Sequence, residues 1–379
     1  MIFTNGRLVC AEEMRDTLEI VVHNGRIAEI RPFAKPAPES AIDLVGNFLA
    51  PGFIDLHLHG ANGCDSMDAT AEAFRAIAAY HASGGTTSML LTTATAPLEK
   101  ILHVLALVRA AKIPQIVGVH VEGPFISRAK AGAQNPQFIR APDNDSLGAL
   151  LKFSDVIKRI TLAPEIPGAL AAIERFREAK IIVSGGHSDA WEEDARRGFE
   201  RGMHSTTHTF NCMSSARRRG AERVAGLLEF ALSEPEIACE LVADGRHVST
   251  TLMKMLYRAK GARGIFLSTD ATAGAGLPAG AHFDLAGNDC VVADGACWLA
   301  DRTALAGSSA RMIDLVRTMV REVGVPLPAA IAMATANPAR LLGLTNTGIL
   351  AVGAPADFVV LSPELEVVQT FVAGERAWP

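Results

Sequence analysis

Short apolar runs alternate along this chain with stretches whose apolar positions recur every three to four residues. The runs are Phe53–His59, Thr86–Thr92, Ile116–Glu122, Arg159–Glu165, Ile181–His187, Ser205–Asn211, Ile237–Asp244 and Ile265–Asp270. Each reads as a strand covered on both faces, and segments such as Ala71–Ala82 and Pro97–Ala111 read as the helices between them. Eight strand–helix alternations predict a (β/α)8, TIM-like barrel over residues 51–347.

The flanks follow another pattern. Residues 1–50 carry short alternating segments, with Asn5-Gly6 and Asn24-Gly25 as turn signals. Residues 348–379 repeat the theme with Asp357–Leu361, Glu366–Val372 and a turn at Gly374. The two ends are expected to pair into a small β-sandwich domain, which makes the whole chain α/β.

Composition narrows the function classes. A length of 379 residues, 49% hydrophobic content and 33 glycines suit a packed α/β enzyme. A net charge of −5 argues against nucleic acid or an anionic membrane as partner, so an anionic ligand would need a local basic cluster. Cys10, Cys64, Cys212, Cys239, Cys290 and Cys297 form no CxxC pair, which favours reduced thiols. The first residues lack a signal-peptide layout, and the uncharged stretch 325–339 is broken by prolines and too short for a bilayer. A cytoplasmic protein is expected.

The candidate chemistry sits at the strand ends. In Pro51-Gly52-Phe53-Ile54-Asp55-Leu56-His57-Leu58-His59, strand alternation puts Asp55, His57 and His59 on one face. The later runs end on Glu122, His187, His208 with Asn211, and Asp270. A barrel gathers such ends at one mouth. Taken singly, each has a plainer reading. Glu122 suits a salt-bridged core carboxylate, and His187 a helix cap. His208 suits a packed histidine, and Asp270 an N-cap. Together they favour a divalent metal of the zinc, iron or manganese type, because the set is imidazole and carboxylate without thiolate. Asp270, following an apolar run, is placed to move a proton to and from water in a hydrolysis.

With these residues the chain resembles the amidohydrolase superfamily, and within it the N-acetylglucosamine-6-phosphate deacetylase family. The resemblance rests on the segment 51–59, His120-Val121-Glu122-Gly123-Pro124-Phe125, Lys130-Ala131-Gly132-Ala133, Gly186-His187-Ser188, His208-Thr209-Phe210-Asn211, Ala243-Asp244-Gly245, Ser268-Thr269-Asp270-Ala271, Leu305-Ala306-Gly307-Ser308 and Gly353-Ala354-Pro355-Ala356-Asp357. It implies metal-dependent removal of acetate from a 6-phosphorylated N-acetylhexosamine. The glucosamine sugar comes first, with the galactose epimer or another N-acyl substrate as the alternative. A non-catalytic phosphosugar-binding relative is a further alternative, which an intact Asp270 opposes.

The same resemblance implies roles. Glu122, His187 and His208 would hold the main metal, zinc first with iron or manganese as alternatives. His57 and His59 would hold a second ion, giving one or two per subunit. Asp270 would be general base and then general acid. Ala133, Gln134, Asn211, Cys212, Arg219, His247 and the loop Leu305, Ala306, Gly307 and Ser308 fall where the family contacts its sugar. Arg219 would bind phosphate, across a homodimer interface as in relatives, with Arg217 and Arg218 as substitutes. Two departures from the family stand out: Gln134 replaces a common histidine, and Arg217-Arg218-Arg219-Gly220-Ala221-Glu222 replaces the usual Arg-Glu-Pro-Gly turn.

Overall fold

A computed structural model describes residues 1–11, 13–33 and 40–379. Residues 12 and 34–39, within the N-terminal segment expected to be β, lie outside the described residues. Eight parallel strands follow one another in chain order: Phe53–Leu58, Thr86–Thr93, Ile116–Glu122, Ile157–Leu162, Ile182–Gly185, Met203–Thr206, Ala238–Leu241 and Ile265–Leu267. The sheet curls until its last strand meets its first. There Asp270 N donates to the His57 carbonyl at 2.8 Å and His59 N to the Ala271 carbonyl at 2.7 Å.

The first two strands are buried at every position, as strands with a filled interior and an outer helical layer must be. The helix Ala71–Ala82 starts where expected, because Thr70 accepts from Ala73 N at 3.1 Å and caps it. It packs Phe74, Ile77, Ala78 and His81 inward at helical spacing.

All eight expected strands are present, but most stop short of their expected ends. The fourth to eighth end at Leu162, Gly185, Thr206, Leu241 and Leu267. For the fifth, sixth and eighth the reason is backbone conformation. His187, His208 and Asp270 have φ of 46°, 30° and 50°, which no strand accommodates.

Both chain ends contribute to one eight-stranded mixed sheet. Strand Phe48–Pro51 joins them, pairing parallel with Ile2–Val9 and antiparallel with Phe358–Leu361. Phe3 fixes the meeting point, with its ring edge-on to Phe358 at 5.3 Å and to Phe371 at 5.0 Å. Asn24-Gly25 is the hairpin turn expected, with φ of 48° and 70°. Asn5-Gly6 is not a turn: it is a bulge inside Ile2–Val9, where the register slips on both sides of Gly6. An Asn-Gly pair supplies positive φ for either feature, so local sequence cannot separate them. A three-stranded sheet, His282–Leu285, Asn288–Ala293 and Ala296–Leu299, projects over the carboxyl end of the barrel.

Candidate active site

Six predicted side chains converge where the barrel strands end. Glu122, His187 and His208 form one group and His57, His59 and Asp270 another, with the ligand-type atoms of each within 4.8 Å of one another. All six are buried. Glu122 lies between the groups. Its Oε1 is 3.2 Å from Nε2 of both His187 and His208, and its Oε2 is 3.3 Å from His59 Nε2. Asp270 Oδ1 lies 3.2 Å from His57 Nε2 and 3.5 Å from His59 Nε2.

The hydrogen bonds decide what these rings can do. His187 Nδ1 meets the Lys130 carbonyl at 2.8 Å and His208 Nδ1 the Asn211 carbonyl at 3.2 Å. A carbonyl only accepts, so the network assigns the proton to Nδ1 in both rings. Their Nε2 atoms then face each other at 3.0 Å as lone pairs, beside an anionic oxygen. Such an arrangement is repulsive without positive charge at its centre. Two imidazoles and a carboxylate, so oriented, fit a divalent cation.

His57 is held the same way, its Nδ1 donating to Glu240 Oε1 at 2.7 Å and its Nε2 facing His59 Nε2 at 3.3 Å. Burial disfavours a charged His57 ring, but Asp270, Glu240 and Glu122 outweigh it and hold its pKa well above the usual value. Burial likewise works against the Glu122 carboxylate, yet the charge of the neighbouring His57 ring leads the groups that keep its pKa well below the ordinary range. The centre favours ionised carboxylates and added positive charge.

The support beneath was not predicted. Arg159 is fully buried in the barrel, ion-paired to Glu240, and donates from Nη2 to Ser184 Oγ at 2.8 Å. Glu240 Oε1 also accepts from His208 N at 3.2 Å, so this one carboxylate orients residues of both groups. Asp55 shares the inward face with His57, as expected. It accepts from Thr269 Oγ1 at 2.6 Å and ties the first strand to the segment carrying Asp270. Both charged residues of the Arg159–Glu240 pair interrupt apolar strand runs, a signal the motif reading passed over.

Above the two groups is a cavity of about 230 Å3. Of the residues singled out as sugar contacts, Ala133, Gln134, Asn211, Cys212, His247, Leu305 and Gly307 line it, together with Thr272, Leu285 and Ala304. Ala306 and Ser308 are fully buried and do not line it. Ala306 accepts from Thr272 Oγ1 at 3.1 Å, and Ser308 Oγ donates to the Thr269 carbonyl at 2.5 Å, so these two shape the loop from behind. Gly132 has φ of 56°, and a Cβ there would lie 2.5 Å from Cys212 Sγ, so only glycine lets this loop close on the pocket. His247 Nδ1 is 2.7 Å from Asp244 Oδ2. Burial opposes protonation of that ring, but the Asp244 hydrogen bond and charge raise its pKa above the usual value.

Two expected sugar contacts are engaged elsewhere. Gln134 spends its amide on Thr95 N and Glu122. Arg219 does not reach the cavity of its own chain: it sits exposed on the hairpin 217–224, ion-paired to Glu193 at 2.6 Å. Arg217 stacks on Trp191 at 4.1 Å and pairs with Asp189 at 2.5 Å. Arg218 alternates to the other face, is exposed, and has no ion-pair partner among the described residues.

With that geometry in view, comparison with known proteins is direct. The sequence profile of the amidohydrolase family matches residues 48–377. The chain belongs to the amidohydrolase family. This family is metal-dependent, in keeping with the two donor groups. An N-acetylglucosamine-6-phosphate deacetylase from Lysinibacillus sphaericus is 34% identical over 380 residues, covering 99% of this chain and 97% of that relative. An N-acetylgalactosamine-6-phosphate deacetylase from Escherichia coli O157:H7 is 33% identical, covering 98% and 97%. Among solved structures, the N-acetylglucosamine-6-phosphate deacetylase of Pasteurella multocida matches with TM-score 0.94 at 32% identity over 100% of this chain and 99% of that one. A mutant of the Mycobacterium smegmatis deacetylase in complex with N-acetyl-D-glucosamine-6-phosphate matches with TM-score 0.94 at 31% identity, again over 100% and 99%. Within the family, the eight-strand barrel with its terminal sheet is shared along the full chain.

Proposed function

We propose that this protein hydrolyses the acetamide of N-acetyl-D-glucosamine 6-phosphate, releasing acetate and D-glucosamine 6-phosphate. The observation that carries the reading is the placement of Asp270 Oδ1 at the cavity floor, 3.2 Å from His57 Nε2 and 3.5 Å from His59 Nε2, in a chain whose full-length relatives carry that activity. Glu122, His187 and His208 would hold the main cation, and His57 with His59 a second. Zinc suits these donors best, with iron and manganese next. When bound, the cation lowers the pKa of water and polarises the acetyl carbonyl.

The chain's own residues supply the rest. Asp270 accepts the proton from the attacking water at a carboxylate oxygen. As the C–N bond breaks, it returns that proton to the departing sugar amine. His247, steadied by Asp244, offers its other ring nitrogen to the acetyl oxygen or the sugar. Leu305 and Gly307 close one wall of the cavity.

Phosphate recognition asks for a second copy of the chain. Among the described residues no arginine or lysine lines the cavity. The hairpin 217–224 carries its arginines outward, and with Arg217 and Arg219 already neutralised, Arg218 and its exposed cross-strand partner Arg223 are the arginines of this hairpin without an ion pair among the described residues, available to a neighbouring subunit. A homodimer sharing this hairpin completes the site. The six unbridged cysteines suit a reducing compartment such as the cytoplasm.

Acetate release from N-acetylglucosamine 6-phosphate, its galactosamine epimer and both unphosphorylated sugars tests the reading. The glucosamine phosphate should give the highest kcat/KM, and chelation should abolish turnover. A preference for the epimer would move the chain beside its E. coli relative. No acetate from any of the four would overturn the proposal.

A further inference from the structure

Gln134 lines the cavity, yet almost none of it is presented to a ligand. It is 7% exposed and bonded at both ends of its amide. Thr95 N donates to its Oε1 at 2.7 Å, and its Nε2 donates to Glu122 Oε2 at 2.5 Å. The backbone donor at Thr95 leaves only one orientation of the amide, so the NH2 group must face the carboxylate. The loop that carries it is tied down on either side. Asn288 Nδ2 donates to the Ala133 carbonyl at 2.9 Å, and Asn135 Nδ2 to the Ala286 carbonyl at 3.2 Å. Thr95 Oγ1 also donates to the Glu122 carbonyl at 3.3 Å, so one threonine anchors both partners.

We propose that Gln134 is a positioning residue for Glu122 rather than a contact for the sugar. Glu122 must aim one oxygen at His187 and His208 and the other toward His59, and free rotation of its carboxylate would spoil both. The Gln134 amide fixes that rotation by holding Oε2, the oxygen that also faces His59, which leaves Oε1 toward His187 and His208. Its effect therefore reaches the reaction through cation binding. The inference rests on the reading of Glu122, His187 and His208 as the cation site.

The two roles separate in measurement. Chelator-stripped protein is titrated with zinc against a chromophoric competitor, and KM for the phosphosugar is measured at saturating zinc. Gln134→Ala should weaken zinc binding by roughly 10–100-fold, the usual effect of losing the partner of a metal-ligating side chain, and leave KM within about twofold. Gln134→His should restore most of the affinity, because an imidazole also carries one acceptor and one donor nitrogen across its ring. Should Gln134→Ala fold poorly by circular dichroism, Gln134→Met keeps the volume, removes both polar atoms and is read the same way. Unchanged zinc affinity in a folded Ala or Met variant overturns the proposal, whether or not KM rises. A histidine variant as weak as the alanine one overturns it too. If the wild-type protein binds no zinc, iron or manganese, the functional reading itself fails, and that result is distinct from either of these.

Discussion

Replacing Glu240 by alanine should be among the most damaging single changes in this protein. Glu240 is fully buried and accepts from three directions: the Arg159 guanidinium, His57 Nδ1 and His208 N. Burial alone would raise its pKa, but Arg159 and then His57 hold it down to about 2 from an ordinary 4.5. A displacement of that size corresponds to about 3 kcal/mol of stability, fully present above the unfolded value and lost as pH falls toward 2. An independent route gives a similar figure: stranding one member of a buried ion pair costs about 3–5 kcal/mol. Among the described residues Arg159 has no second carboxylate to turn to, only hydroxyl and carbonyl oxygens from Ser184, Thr206 and Thr207. Urea unfolding of chelator-stripped protein, followed by tryptophan fluorescence and circular dichroism, measures the loss. The double variant Arg159→Met, Glu240→Leu removes both charges and leaves only the His57 and His208 N–H groups without an acceptor. It should recover about 2 kcal/mol of the single variant's loss, because an apolar replacement of a buried pair is often neutral. A single-variant cost under about 1 kcal/mol, or a double variant less stable than the single, would refute the reasoning.

Two other predictions probe the site's surroundings. His81 is buried against the Gly60 carbonyl, and burial pushes its pKa down to about 4, with the hydrogen bond only partly opposing. The unfolded chain binds that proton near 6.5, so stability should fall from pH 6.5 toward 4 by up to about 3 kcal/mol and then level off. His81→Gln keeps a donor for Gly60 and should flatten that part of the profile; an unchanged profile would exonerate His81. Changing His57 and His59 together to alanine should lower the metal content by about one equivalent while Glu122, His187 and His208 stay loaded. Equal stoichiometry by elemental analysis would make the pair structural.

The barrel and the six converging residues were legible because each ionisable group follows an apolar run and a barrel sends all such ends to one mouth. Other features were hidden for definite physical reasons. Arg159 and Glu240 look like ordinary polar interruptions of strands four and seven, and only the closed barrel shows that they face each other across its interior. The sheet of residues 282–299 carried a usable signal in its Asp294-Gly295 turn, yet nothing local says that it lies over the cavity. Arg219 had the spacing of a phosphate ligand. In the structure Arg217 and Arg219 stack on Trp191 while Arg218 takes the opposite side of a two-residue alternation. Spacing counts residues; it does not say which face of a hairpin looks toward a neighbour.

The overshoot of the expected strands carries its own lesson about the site. A sequence reader extends a strand until the apolar pattern fails, and in strands four to eight it fails two to five residues beyond the end of the strand. In that gap lie His187, His208 and Asp270, all with left-handed backbones that cost about 1–3 kcal/mol each outside glycine. Such conformations persist only where the surroundings hold them. Asp270 N donates to the His57 carbonyl while its own carbonyl accepts from Ser308 N at 2.7 Å, and Ser127 N donates to the His187 carbonyl at 2.8 Å. The turn out of the strand swings each side chain over the barrel mouth instead of leaving it in the interior or among the outer helices. Had these residues stayed extended, pleat alternation would have fixed their direction, and the side chains that follow strands five, six and eight could not all join Glu122 at the mouth. The strain is thus the means by which separate strands deliver their residues to one point.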